Sequence, residues 1–381
     1  MLVQTHFPRQ LSRVRYDQYL ASGWFRGAVM LYKMDLLCLD NDLYSVINIR
    51  LNLEKFGFRK GQRKLIRKAE SKFKICYGIA STNDEKEALY SAHKHRFKGF
   101  IHGTLKEYLN AGFQSTVFDT REVCIYDGDK LIAVSYFDLG NISMASLLGL
   151  YDEQYAEWSL GKLTMLKEIE FGLASNIKWF YPGYILDKDS SFDYKLRLGN
   201  MEYYTPAKRW ANIDKFDPTH TIGHDVRSAT KKLSNALENE NIPHKPWLYP
   251  YFSMGYMGPW NAYFMRSPAP IELGHDLGGM MVTAYSTEEK AYSLFRKCKD
   301  EGYPMRDSDI LSALLILDTP KSFWKHLSPA WNWYYEDPNK ESNGGEDVNI
   351  LHMLAIKPWD DLTKHKNRVL NKGKKIWNYL K

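Results

Sequence analysis

Between Leu150 and Trp210 the hydrophobic period changes twice, and that alternation limits the folds open to the chain. Ile142 to Tyr151 reads as a strand, and a loop follows that ends in Ser159-Leu160-Gly161-Lys162. Leu163, Leu166, Ile169, Glu170 and Leu173 then recur at helical spacing, with one face mostly apolar. Trp179 to Ile185 (WFYPGYI) is a short aromatic strand interrupted by Pro182-Gly183. A strand feeding a helix with no acid at its N-terminus is a place to hold an anion. The first-turn N–H groups are unpaired, and the helix dipole favours negative charge there.

The stretches before this segment supply its neighbours. Arg15 to Gly23 has a short helical pattern, and Trp24 to Met34 reads as a strand. Tyr44 to Leu53 alternates cleanly, as a strand with one buried face does. Asp84 to Leu109 reads as two helices joined by a loop. Phe113 to Phe137 holds strands on either side of the hairpin turn Asp127-Gly128-Asp129. This order by itself specifies a mixed α/β fold. At 381 residues the chain is long enough for more than one domain.

After Asp217 the pattern gives elements but no motif. Asp225 to Asn241 is an amphipathic helix, and Pro246 to Pro259 is extended or looped. Thr287 to Cys298 and Asp309 to Leu317 read as helices, Asp337 to Asp347 as a polar loop, and Leu362 to Lys381 as a basic closing helix.

Charge is concentrated. Arg50 to Lys74 holds ten basic residues against Glu54 and Glu70, a net +8, while the whole chain carries +7. On a helix starting near Gln62, Arg63 and Arg67 share one side and Lys64 and Lys68 lie beside them. With Arg59 and Lys60 they form a face suited to a phosphate backbone, or else simply a solvated helix surface. His93 and His95 are two apart and make a poor metal pair on a helix. The cysteines Cys38, Cys76, Cys124 and Cys298 are far apart and form no CxxC, so no metal site is expected and reduced thiols are. No run reaches the roughly 20 apolar residues of a membrane span. The opening residues lack a signal-peptide core, which leads to the expectation of a cytoplasmic protein.

Several motifs in this order carry a resemblance. Tyr151-Asp152, Ser159-Leu160-Gly161, Glu168-Ile169, Gly183-Tyr184 and Tyr194-Lys195 resemble the C-terminal catalytic region of the arginyl-tRNA–protein transferases and their bacterial leucyl-transferring relatives. Upstream, Asp127 to Val134 with Asp138, Phe56 to Lys64, and Tyr19 to Trp24 are similar to further segments of that family. The resemblance runs from about Tyr16 to Trp210. It implies a GNAT-like acyltransferase core at 81–215, behind a small N-terminal module at 1–80 and ahead of a C-terminal extension at 216–381. In such a fold two central strands splay and the acyl donor enters the gap. Family members carry cysteines before the strand at Tyr44, where a metal or iron–sulfur cluster can bind; here only Cys38 is nearby, which argues against a cluster.

The activity implied is aminoacyl transfer from charged tRNA, as co-substrate and with no other cofactor, to the N-terminal amine of an acceptor protein. Such an ester is already activated, so positioning is the main task and no nucleophilic Ser or Cys is needed. By the resemblance, Ser159, Leu160, Gly161 and Lys162 hold the tRNA acceptor end. Asp152 orients the amine, with Asp138 second. Tyr184, Tyr194 and Lys195 bind substrate, Lys195 pairing with an acidic acceptor side chain. Glu168 is structural or binds the amino acid. Arg59, Lys60, Arg63, Lys64, Arg67 and Lys68 contact the tRNA backbone. Two alternatives stand beside this: an acyl-CoA-dependent N-acyltransferase, although its Q/RxxGxG/A loop is missing, and a non-enzymatic RNA-binding paralogue.

Overall fold

The computed structural model describes residues 1–296 except 98–100, 114–115, 257–264 and 277–278, together with 357–358. The chain divides into two units. One comprises residues 4–35 and 46–218; the other comprises 1–3, 36–45 and the residues from 219 onward. The helix at Asp309–Leu317, the loop at Asp337–Asp347 and the basic helix at Leu362–Lys381 lie outside the described residues.

The strands are β1 (Val3–His6), β2 (Phe25–Gly27), β3 (Met30–Met34), β4 (Leu36–Leu39), β5 (Asp42–Asn52), β6 (Lys74–Ile79), β7 (Thr120–Asp127), β8 (Lys130–Leu139), β9 (Ser143–Tyr151), β10 (Trp179–Leu186), β11 (Met201–Tyr204) and β12 (Trp210–Asn212). The helices among them are α1 (Arg13–Ala21), α2 (Lys60–Glu70), α3 (Asp84–His93), α4 (Leu105–Asn110) and α5 (Leu160–Ala174). The main sheet runs β12-β11-β5-β10-β9-β8-β7-β6. Its described pairings are antiparallel except β9 with β10, which run parallel. The mixed α/β expectation holds. The expected boundary near residue 80 does not mark a structural break, because β5 and β6 belong to the same sheet as β7–β10.

The sheet is covered on both faces, which explains why β8 is buried along nearly its whole length. On one face Leu163, Leu166 and Ile169 of α5 are fully buried against Ala133 and Phe137 of β8 and Phe180 of β10. Each such side chain contributes roughly 1.5–3 kcal/mol. Helix α5 approaches β9 so closely that a Cβ on Gly172 would meet the Met144 sulfur at 2.6 Å. On the other face Leu89, Tyr90, Leu105 and Leu109 of α3 and α4 pack on Val134, Tyr136, Leu148 and Leu150. Helix α2 buries Gln62, Ile66 and Ala69 and leaves its charges outward.

Trp24–Met34, expected as one strand, is the hairpin β2–β3. Ala28 at its turn has φ 51°, and Arg26 of β2 is buried. In the second unit α6 (Ile222–Asn239) is the amphipathic helix expected at Asp225–Asn241, starting three residues earlier and ending two residues sooner. It packs Leu233 and Leu237 on Ile271, with strands β13 (Lys245–Pro246), β14 (Ile271–Asp276), β15 (Gly279–Ser286), β16 (Ala291–Arg296) and β17 (Lys357–Pro358) forming its sheet. The segment expected as a helix from Thr287 is instead a hairpin turn followed by β16, in register with β15 from Ser286↔Ala291 to Met281↔Arg296. Cross-strand pairing outweighs the helix propensity of Glu, Lys, Ala and Leu there.

Candidate active site

Strands β9 and β10 share three pairs, Trp179↔Ser143, Phe180↔Met144 and Tyr181↔Ala145, and then part. Both are irregular at that point. Strand β9 bulges at Leu147 against β8, where Ser146 faces Phe137 and Leu148 faces Tyr136. Strand β10 shifts register against β5 between Phe180 and Gly183. Pro182 explains part of this, since it has no N–H to give the ladder, and Gly183 adopts φ +101°. Bulges of this kind bend strands and re-aim side chains. The result is a fork in the sheet, open from Ser146 to Tyr151 on one side and from Gly183 to Leu186 on the other.

Helix α5 begins beyond the open end of β9. Its first turn has no acid, and Ser159 before it sits in the left-handed region at φ 49°. The Ser159 side chain makes no cap; its carbonyl accepts from the amides of Lys162 and Leu163. Leu160 is buried in the core, so its side chain offers nothing to a ligand. Gly161 lies against the Tyr151 ring, where an added Cβ would come within 3.1 Å. Ser159 is exposed and Lys162 partly so.

Helix α2 flanks this helix start. Arg59, Lys60, Arg63, Lys64, Arg67 and Lys68 are all exposed, and among the described residues none is in an ion pair. The Lys68 ammonium stands 3.9 Å from the centre of the Trp158 ring, next to Ser159, with Lys72 at 5.1 Å. Gln62 ties the helix to the other arm of the fork: its side-chain amide donates to Leu198 O at 2.8 Å while its oxygen accepts from Arg59 N.

The turn at Asp193–Arg197 closes that arm. Lys195 is buried, and its ammonium donates to Tyr184 O at 3.1 Å and lies 5.2 and 5.0 Å from the Tyr184 and Phe192 rings. Burial pulls it down to about 8. Tyr184 is half-buried, packed on Phe25 and Phe192. Tyr194 is exposed, and partial burial with Glu168 and Tyr151 nearby pushes its hydroxyl up to about 12.

Glu168 reaches the fork from beneath. Its Oε1 accepts from the hydroxyls of Ser135 on β8 and Ser146 on β9, the latter at 3.2 Å. Its Oε2 is buried with no hydrogen-bond partner among the described residues. Burial pushes the carboxyl up to about 8, against the lowering pull of the two serines. An acid at a position buried on a helix that is itself buried nearly all round was the signal available in the sequence.

The two aspartates expected to be catalytic lie elsewhere. Asp152 caps the turn at Glu153–Trp158 through Gln154 N, and its other oxygen accepts from Lys130 at 2.7 Å, at the β7–β8 hairpin. Lys130 holds its carboxyl below the usual range. Asp138 is fully buried in an ion pair with Arg26. His93 is also committed, its Nδ1 lying 3.0 Å from Tyr151 O. Among the described residues no group of three or more His, Cys, Asp or Glu is placed to hold a metal ion.

Comparisons with known proteins fall on this same region. Residues 80–205 match the family described as arginine-tRNA-protein transferase, C terminus. An aspartate/glutamate leucyltransferase of Leptospira interrogans is 26% identical over 231 residues, covering 56% of this chain and 85% of the relative. One of Campylobacter jejuni is 26% identical over 185 residues, 47% of this chain and 75% of the relative. Arginyl-tRNA–protein transferase 1 of Saccharomyces cerevisiae is 28% identical over 116 residues, 29% of this chain and 23% of that one. Residues 80–205, and with them the fork and the helix that begins beyond it, are thus similar to the C-terminal region of the arginine-tRNA–protein transferases.

Proposed function

We propose that this protein is an aminoacyltransferase that moves an amino acid, arginine or leucine, from charged tRNA to the N-terminal amine of an acceptor protein. The observation that carries this reading is the fork between β9 and β10, opening beside an acid-free helix start that is flanked by an unpaired basic face. The fork is the counterpart of the splayed strands of a GNAT-like core, and the aminoacyl ester enters there. The phosphate and ribose of the tRNA end meet the Leu160 and Gly161 amides at the start of α5, the Ser159 hydroxyl and the Lys162 side chain. The α2 face takes the tRNA backbone.

Lys195 supports an acceptor beginning with Asp or Glu. It is a buried cation whose near neighbours are a carbonyl and two aromatic rings, and an acidic side chain supplies the missing anion. No described helix is long and apolar enough to cross a membrane; a cytoplasmic location follows from the tRNA co-substrate. An acyl-CoA donor, with its pyrophosphate and one ribose phosphate, engages less of an extended basic face than a tRNA backbone does. The test is transfer of labelled amino acid from charged total tRNA to peptides starting with Asp, Glu, Lys or Arg, with labelled acetyl-CoA as the rival donor. Label from tRNA supports the reading, and label from acetyl-CoA alone overturns it.

A further inference from the structure

We infer that Ser146 and Glu168 form a proton relay that takes the proton from the attacking amine, Ser146 meeting the amine in the fork and Glu168 acting through it. This rests on the transferase reading above.

The geometry comes from the end of the parallel pairing. Ser146 is the first residue of β9 beyond the last shared pair with β10 and the last before the Leu147 bulge, and it is partly exposed. Its hydroxyl donates to Glu168 Oε1 at 3.2 Å. Glu168 itself is fully buried, and its second oxygen has no partner among the described residues. A purely structural carboxylate at such depth is normally paired or fully hydrogen-bonded, because an unsatisfied buried charge is costly. Here the acid has two hydroxyl donors on one oxygen and, among the described residues, no cation partner. Lys167, next in sequence, is turned to Glu70 of α2 and to Glu170. Among the described residues, the titratable groups within electrostatic reach are Tyr77 of β6 and Tyr194 of the 193–197 turn, both held neutral. Burial raises the acid's proton affinity towards that of an N-terminal amine. That shift suits a base working near neutral pH.

The step balances as follows. The amine nitrogen attacks the ester carbonyl, the C–N bond forms and the ester C–O bond breaks. The proton shed by nitrogen passes to Ser146 Oγ as the Ser146 hydroxyl proton moves to Glu168 Oε1. The same path run backwards returns a proton to the leaving ribose oxygen, and the carboxylate is restored.

The test is single-turnover transfer to a free-amine peptide from about pH 6.5 to about pH 9.5, using whichever charged tRNA the wild type accepts. Glu168→Gln is expected to be about a hundredfold slower near pH 7 and within a few-fold of wild type near pH 9.5, where solvent deprotonates the amine. Ser146→Ala reproduces that profile, and the double variant is no slower than either single one. Ser146→Ala also carries the test if Glu168→Gln does not fold. A defect of equal size at every pH, a wild-type profile in Glu168→Gln, or a wild-type rate in Ser146→Ala overturns the relay while leaving the transferase reading intact. A wild type that transfers nothing from any charged tRNA removes the transferase reading, and the relay with it.

Discussion

Arg26 and Asp138 form an ion pair of 2.6 Å in which each side chain is about 1% exposed. It joins β2 to β8, and Thr120 and Tyr16 donate to the same carboxylate. Arg26 also donates to Ala28 O at 2.7 Å and stacks on Phe118 at 4.3 Å. Breaking one half of such a pair leaves the other charge buried and alone. Asp138→Asn is therefore expected to cost about 3–5 kcal/mol, read by urea unfolding. Replacing both residues with apolar ones of similar size restores most of that loss. A catalytic role instead predicts lost turnover at unchanged stability.

Asp152 gives the opposite expectation. Its carboxylate is capped and paired with Lys130, whose side chain is 54% exposed. Asn caps a helical turn about as well as Asp, so Asp152→Asn changes stability by less than about 1 kcal/mol. Transfer activity stays within about twofold, because the side chain points to the β7–β8 hairpin and not to the fork. A loss of activity beyond tenfold in steady-state assays contradicts this placement.

On the proposed reading, in which Lys195 meets an acidic acceptor side chain, acceptor choice is pH-dependent. Its ammonium is held near 8, below the ordinary lysine value of about 10.4. Between those values the unfolded chain binds more protons than the folded one, so the buried charge destabilises the fold below about pH 8 and stability rises as pH climbs through that window. An acidic acceptor residue compensates the charge, so preference for peptides starting with Asp over Asn is largest below about pH 8 and fades above it. Lys195→Met reduces kcat/KM for Asp-peptides by about 10- to 100-fold, leaving tRNA affinity unchanged.

Glu168 works with the reverse sign. Its folded-state value near 8 lies above the roughly 4.3 of an unfolded glutamate. Its contribution to stability is complete below about pH 4.3 and is lost as pH rises through about 8. Melting curves at about pH 6 and about pH 9 are expected to show a drop that Glu168→Gln largely removes.

The α2 face is tested by salt. For every phosphate that the protein ceases to neutralise, the slope of log affinity against log salt flattens by about 0.7–0.9. Charge-neutral replacements of Arg63 and Arg67 together are therefore expected to reduce the slope for tRNA by about 1.5, measured by filter binding between about 50 and 200 mM salt. An unchanged slope removes α2 from the interface.

What the sequence made legible was periodic. The strand–helix–strand of β9, α5 and β10, the β7–β8 hairpin and the amphipathic α2 all follow from spacing. The fork was harder to read, because it depends on bulges at Leu147 and Pro182 that only pairing with β8 and β5 defines. Asp138 and Arg26 lie 112 residues apart, and no local pattern announces their pairing. Asp152 matched a motif, but its orientation depends on Lys130 across a hairpin. Strand β16 was hidden by residues that favour helices in isolation and pair as a strand beside β15.

The most direct measurement compares two peptides that begin with Asp and differ only in whether the α-amine is free or acetylated. Each is incubated with the protein and tRNA charged with arginine or leucine, and the products are weighed by mass spectrometry. The account predicts that the free-amine peptide gains one amino-acid residue at its N-terminus and that the acetylated peptide gains nothing. Addition to the acetylated peptide, or none to either with both charged tRNAs, contradicts it.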